Sequence, residues 1–426
     1  MTRLSHPEPQ TAFHQHPPAQ ECGLGTARQR VIDTAAAVRR QRDWPRRPLA
    51  QVPLPAAPVL AEPVQSDRPW PPFRRAMRDG YALRAADLGA PLRCVGEVRA
   101  GSGEAPRAGS GGCVAIMTGA AVPAELDTVV MIEHTQIDSD GRIVVNAGEH
   151  KGDNIAKVGS DSPAGAVVAA AGRRVTPAMI AAAASAGVTE LVVFQPPRVA
   201  IIASGDELVA ATAQPGAAQI RNSNGPMLQA QCRRYGAEVV YERLVRDEAA
   251  ALEAALQEAL TLGADVIVFA GGASVGSADL VAPLLDSIGV RLAFDAVRVR
   301  PGRPVLFGEL GGRLYFGLPG NPLGAMLSCA LLVRPAFELL AGLDADAITP
   351  VTVSAAMGFD YAGKPLQLDS FRPVRLRANR LRVETVDVRY HGSADLAAAA
   401  AADAFVHISP GVTVLPSGAT VGVVLL

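Results

Sequence analysis

The chain has 426 residues, a net charge of −1 and 19% charged residues. That length exceeds one ordinary hydrophobic core and calls for two to four domains, while the balanced charge gives no general pull toward nucleic acid or membrane. Five scattered cysteines (Cys22, Cys94, Cys113, Cys232, Cys329) with no CxxC pair, and seven dispersed histidines, argue against a disulfide framework or thiolate zinc site and for a reducing, cytoplasmic setting.

Residues 1–27 are rich in Pro, Gln and His, lack the apolar core of a signal peptide and are expected to be disordered. A helix follows over 28–42, with Val31, Ile32 and the 35–38 run on its apolar face. Residues 44–72 hold too many prolines for continuous regular structure. From about 81 to 165 short β-like runs broken by glycine (Val114–Met117, Thr128–Ile132, Ile143–Val145) predict a small β module. Thr176 followed by Pro177 predicts a capped helix over 176–187.

A different rhythm begins at Arg198. Strands are predicted at 199–203, 238–244, 266–270 and 314–317, and helices at 227–235, 248–262, 280–287 and 323–340. Such alternation predicts a mostly parallel sheet covered on both faces, with ligands at the carboxyl ends of its strands. No apolar segment is expected to reach the roughly 18 residues that a membrane span requires. Beyond Asp344 the text is β-like again, at 351–353, 371–376, 381–386, 404–408 and 420–426. The fold class is therefore multidomain α/β plus β, with a central three-layer α/β domain, a β-rich module before it and a β domain at the end.

Three loops fall at those predicted strand ends. Gly271-Gly272-Ala273-Ser274-Val275-Gly276-Ser277-Ala278-Asp279 leaves the strand at 266–270; Arg300-Pro301-Gly302-Arg303-Pro304 and Leu318-Pro319-Gly320-Asn321-Pro322 lie downstream. Glycine lets backbone approach a ligand, and arginines beside backbone amides suit a phosphate-like anion. Asp206, Glu207, Asp247 and Asp279 also follow predicted strands. Acids there can hold a hard cation such as Mg²⁺, which needs only one or two carboxylates beside phosphate oxygens; equally, each can cap the next helix. Ser274 is either a phosphate ligand or a plain turn serine. There is no GxxxxGK[ST], and no GxGxxG follows a strand, so neither a P-loop nor a dinucleotide fingerprint is present.

Taken together, these segments resemble the molybdopterin molybdenumtransferase family, the MoeA and gephyrin E-domain proteins. In family order stand Pro71-Pro72-Phe73; Asp79-Gly80-Tyr81-Ala82; Ile116-Met117-Thr118-Gly119-Ala120; Gly152-Asp153-Asn154-Ile155 with Asp161; Ser204-Gly205-Asp206-Glu207; Asn222-Ser223-Asn224; the three loops above; and Gly392-Ser393-Ala394-Asp395-Leu396. The resemblance implies a homodimer of four-domain subunits. These comprise a discontinuous domain at 28–70 and 165–194, an inserted β-rich domain at 71–164, a molybdopterin-binding α/β domain at 195–342 and a barrel-like β domain at 343–426. It implies cleavage of adenylylated molybdopterin with Mg²⁺, release of AMP and insertion of molybdate at the dithiolene. It also implies dealings with a molybdopterin adenylyltransferase and with molybdoenzyme apoproteins.

Carried over by position, Glu207, Asp247 and Asp279 are acidic catalytic residues, Asp247 and Asp279 also as metal ligands. Thr118, Asp79 and Asp161 would join them from the partner subunit. Gly271, Gly272, Ser274, Gly276, Arg300, Pro301, Arg303, Pro319, Gly320, Asn321 and Ser393 would bind the pterin substrate or molybdate. The chain departs from the family at Arg74-Arg75-Ala76-Met77-Arg78, where the family has Asp-Asn-Ser-Ala-Met, and at Ala156, where it has Arg. A cation replacing an acid weakens a cation site and favours an anion. An alternative therefore stays open: a silent paralogue that carries molybdopterin or acts as a scaffold. A tungstate-selective insertase is not separable from the first reading, because the two oxyanions share charge and shape.

Overall fold

The computed structural model describes residues 21–49, 58–146, 148–271, 280–349, 351–378 and 382–426. Most of the expected tail, residues 1–20, lies outside them. Its last residues are ordered, contrary to expectation. Glu21–Cys22 is a strand paired in parallel with Ala296–Val297, and the first helix starts at Leu24 rather than 28. Burial of Cys22, Leu24 and Ala27 accounts for the earlier start.

That helix, Leu24–Gln41, buries Ala27, Val31, Ala35 and Val38, a stripe at spacings of three and four. The stripe packs into the same core as the central sheet, so by contact this helix joins the α/β part of the molecule. Helix Pro177–Ser185 belongs to a separate small cluster with Leu60, Val64, Val175, Leu191 and Val193. Its start follows the sequence rule: the Thr176 hydroxyl accepts from the Met179 N–H at 3.2 Å, and proline occupies the first turn.

The central sheet has six strands in the order Glu238–Val245, Arg198–Ser204, Val266–Ala270, Arg313–Leu318, Leu306–Leu310, Arg291–Phe294. The first four run parallel; the last two are antiparallel additions. Val266–Ala270 is wholly buried, which is why it reads as a continuous apolar run rather than an alternation. Leu306–Leu310 and Arg291–Phe294 escape the sequence reading. The former is joined to Arg313–Leu318 by Gly311-Gly312, both with positive φ (60° and 74°), the backbone that a tight two-residue hairpin requires.

The helical run Pro322–Leu340 corrects a second expectation. It is 19 residues long with a mean hydropathy of 1.6, long and apolar enough to cross a membrane, but 89% of that window is buried inside the protein. It is a core helix. Its middle, Cys329–Val333, widens to π geometry, with the Arg334 N–H bonded to the Cys329 carbonyl. Pro335 follows at once: its ring crowds the carbonyl four residues back, and the wider turn relieves that clash.

The β module has a four-stranded sheet in the order Arg93–Val98, Gly112–Ile116, Gly80–Leu83, Thr128–Met131, with cores on both faces. At the end of the chain five strands close on themselves: Asp369–Ala378, Val383–Asp387, Val353–Ala356, Thr420–Leu425 and Ala404–Ile408, which pairs back with Asp369–Ala378. This barrel is stitched to the α/β part, because Val299–Arg300 pairs in parallel with Asp369 and Ser370.

Candidate functional site

Where the α/β sheet meets the barrel there is a cleft of about 1430 Å³. The carboxyl ends of parallel strands supply one wall, as expected for this sheet type. Gly271 sits at the end of Val266–Ala270 with φ +100°, and a Cβ there would lie 2.5 Å from the Ser204 carbonyl oxygen. Only glycine fits between two parallel strand ends this close. At the end of the neighbouring strand, Pro319, Gly320 and Asn321 lead into the core helix, with proline again in the first turn. Gly302, φ +104°, lets its loop lie on Gly324, whose carbonyl oxygen is 3.2 Å from where a Cβ would be.

Of the residues expected at the site, Glu207, Asp247, Gly271, Arg300, Pro301, Arg303, Pro319, Gly320, Asn321 and Ser393 all line this cleft. Gly272, Ser274, Gly276 and Asp279 lie outside the described residues. Asp79 and Thr118, bonded to each other, and Asp161, paired with Arg75, do not line it; they lie on the β module of the same chain.

Asp247 does not act as a helix cap. The next helix is Ala249–Thr261, Glu248 holds the capping position, and no side chain bonds its free amides. Instead the Asp247 Oδ1 is buried without a hydrogen-bond partner among the described residues, while its backbone N–H donates to Asp206 Oδ1 at 3.3 Å. A buried carboxylate oxygen left unbonded is costly unless a ligand supplies the missing contact. Ser204 Oγ and Asn224 Oδ1, which belong to cleft-lining residues, are unpartnered in the same way. Asn224 is itself held by its Nδ2, which donates to the Gly320 carbonyl at 2.7 Å.

On the basic side, the Arg303 Nε donates to Glu21 at 2.7 Å, so the first described residue reaches the cleft loop. Arg300 forms no ion pair among the described residues. The barrel contributes Leu368, Tyr390, His391, Gly392 and Ser393. Its loop is fixed to the other wall by the Leu323 N–H, which donates to the Ser393 carbonyl at 3.0 Å. Desolvation pushes the Tyr390 hydroxyl above its ordinary range, against the opposing pull of the Arg300 and Arg372 charges.

Sequence reading did not select Asn222, Asn224, Tyr390 and His391 as site residues. The asparagines stood in a segment noted only for its order along the chain; nothing local marks Tyr390 and His391, which depend on the barrel closing against the α/β wall.

On the β module, Asp79 Oδ1 accepts from the Thr118 N–H at 2.6 Å and the Thr118 hydroxyl at 2.8 Å. These bonds, the backbone one first, hold its carboxyl below the usual range. Asp161 pairs with Arg75 at 3.6 Å and accepts from the Ser160 hydroxyl at 3.0 Å. Half-buried Arg74 donates to the Pro123 carbonyl of its own module.

Three family descriptions match the chain. The MoeA N-terminal region (domains I and II) covers residues 24–187, a probable molybdopterin-binding domain 200–339, and the MoeA C-terminal region (domain IV) 355–426. The molybdopterin molybdenumtransferase of Bacillus subtilis strain 168 is 32% identical over 379 residues, 86% of this chain and 87% of the relative. That of Haemophilus influenzae is 32% identical over 286 residues, 67% and 70% of the two chains. Among solved structures, a molybdopterin biosynthesis MoeA protein from Pyrococcus horikoshii superposes with a TM-score of 0.69 at 27% identity, covering 92% of this chain and 98% of its own. Another molybdopterin biosynthesis MoeA protein structure, from Pyrococcus horikoshii OT3, gives 0.75 at 23% identity, covering 96% and 100%, and speaks to the fold.

Proposed function

The chain belongs to the molybdopterin molybdenumtransferase family, a transferase of molybdenum cofactor biosynthesis, and on that premise we propose that the cleft takes adenylylated molybdopterin, releases AMP and inserts molybdate at the dithiolene. The observation that carries this reading is the buried Asp247 Oδ1, unpartnered among the described residues, in the wall of a cleft whose rim bears Arg300 and Arg303. A carboxylate in that state suits a hard cation, and Mg²⁺ asks for no more than one or two protein acids. Asp247 would hold the ion, with Asp279 as the second acid expected from sequence. Bound there, the ion would offset negative charge on the phosphoryl oxygens as the anhydride breaks.

The chain's own groups do the rest. Arg300 and Arg303 bind the anionic ends of the substrate as charge-assisted donors. Gly271 and Gly320 keep the strand ends bare so that backbone can come close to phosphate. Ser204 Oγ and Asn224 Oδ1 offer polar contacts, and the Ser393 loop covers the cleft from the barrel side. Asp79, Thr118 and Asp161 would reach the equivalent cleft of a partner subunit in a homodimer, in the cytoplasm.

The test is a turnover assay with purified protein, adenylylated molybdopterin, Mg²⁺ and molybdate, following AMP and product together. Molybdate-dependent AMP release is the expected result. Tight binding without release would favour the second reading, a carrier or scaffold. The pairing of Arg75 with Asp161 supports that reading, because it occupies an acid that the active reading needs.

A further inference from the structure

The N-terminal strand Glu21–Cys22 lies against the basic loop from outside the cleft. It pairs in parallel with Ala296–Val297, and the Arg298 N–H donates to the Cys22 carbonyl at 2.8 Å. The loop itself, residues 298–303, is closed at its base by the Val297 N–H, which donates to the Arg303 carbonyl at 2.9 Å. The barrel holds its other flank. There the Asp369 N–H donates to the Arg298 carbonyl at 3.2 Å, and Val299–Arg300 pairs with Asp369 and Ser370. Gly302 rests on Gly324. The backbone that carries both cleft arginines is thus pinned by the strand, the barrel and the core helix, so a ligand can rearrange only their side chains.

Those two side chains are not equivalent. Arg303 gives its Nε to Glu21 at 2.7 Å, whereas Arg300 has no ion pair among the described residues. Glu21 does not line the cleft; its carboxylate meets the cleft only through the Arg303 guanidinium. The pair is accessible, with the Arg303 side chain 62% exposed and that of Glu21 31%. An ion pair this exposed is weak and can open, yet while it holds it offsets one of the loop's two positive charges. We infer that Glu21 is a tethered counter-ion of the cleft loop, an autoinhibitory contact that a dianionic ligand of phosphate or molybdate type must overcome at Arg303. The ligand either breaks the pair or binds one guanidinium away from a like charge. Both routes leave its affinity below what the two arginines would give alone. The loss is electrostatic, so salt erases it.

This rests on the proposed anion-binding role of Arg303 and goes beyond it by giving the N-terminal strand a part in the site. Calorimetric titration of the purified full chain, with AMP and with molybdate in separate runs, tests it without turnover. Glu21→Gln keeps an oxygen for the Arg303 Nε and removes only the charge. It should bind at least one probe about threefold more tightly than wild type at about 50 mM salt, and equally at about 1 M. The probe that responds shows whether phosphate or molybdate meets Arg303. In an Arg303→Ala background the same substitution should gain less than half as much. The sign separates this from a structural role, because a strand that merely buttressed the loop would weaken binding when its contact is lost. Unchanged or weaker binding by Glu21→Gln, or an equal gain without Arg303, would overturn the inference and leave the cleft assignment intact. No binding of either probe, by wild type or variant, would sink the cleft assignment and the inference with it.

Discussion

Asp247 on the α/β wall and Asp79 on the β module are both loop carboxylates, yet they meet their surroundings in opposite ways. Asp79 is answered at one oxygen by its own chain: two donors from Thr118 converge on Oδ1. Asp247 is left with a buried oxygen that nothing described contacts. The same contrast separates Asp161, paired with Arg75, from Ser204 and Asn224, each with an unmatched polar atom. Other buried atoms are unmatched among the described residues, Glu149 Oε2 of the β module included, but in the cleft three of them stand on lining residues, which suits a ligand-binding wall. On the β module, Asp79 and Asp161 are bonded within the chain before any partner arrives.

Breaking the α/β side should have the largest effect. Asp247→Asn keeps the shape but removes the charge, and AMP release should fall by about two orders of magnitude or more. Because the oxygen has no partner to lose among the described residues, thermal stability should stay level or rise by up to about 1 kcal/mol. Full activity would refute the assignment of Asp247 as a cation ligand. A large loss of stability would mean that its oxygen has a structural role after all.

Gly271→Ala attacks the same wall through the backbone. It combines a positive φ with a Cβ driven to 2.5 Å from the Ser204 carbonyl, so unfolding free energy should drop by roughly 3 kcal/mol. A denaturant titration reads this directly. The effect is local to the junction of two parallel strands, so the barrel and the β module should keep their own cores.

These two residues also show what sequence could and could not reveal. Gly271 is legible because the strand before it is a clean apolar run with Gly-rich text behind it. The Thr176–Pro177 helix start is legible for a similarly local reason. Strand Leu306–Leu310 is not: its pairing depends on a Gly-Gly hairpin and on a neighbour, and its own five residues carry no alternation. Asp247 was ambiguous between capping and ligand binding; in the structure Glu248 takes the capping position and Asp247 Oδ1 is left unbonded among the described residues. Tyr390 and His391 left no local mark, because their place in the cleft depends on the barrel closing against the α/β wall. The Glu21–Arg303 pair, spanning 282 positions, had no local trace either.

On the β-module side the effects should be smaller. Arg75→Ala removes an exposed pair, so stability should change by less than about 0.5 kcal/mol. If Asp161 serves a partner's cleft, its release should lower the Mg²⁺ concentration for half-maximal turnover by about threefold. An unchanged Mg²⁺ titration would place Asp161 outside the chemistry. Arg74→Asp sharpens the point: its guanidinium donates to Pro123, so the first cost should be about 1 kcal/mol of module stability. A change in Mg²⁺ dependence would appear only if the new acid also reaches a partner.

The subtlest change is Thr118→Ala. It removes the hydroxyl donor to Asp79 but keeps the backbone N–H, the larger of the two influences on the carboxyl. The Asp79 pKa, followed by NMR, should therefore rise only part of the way toward the ordinary carboxylate value. The sign for stability follows from linkage. A carboxyl depressed in the folded state stabilises at pH values above its unfolded pKa, and that contribution is lost as pH falls through the folded one. Wild type and Thr118→Ala should thus differ at neutral pH and converge in acid. If the carboxyl returned fully to its ordinary value, the backbone bond would be dispensable, and the β module would hold Asp79 as loosely as the α/β wall holds the free oxygen of Asp247.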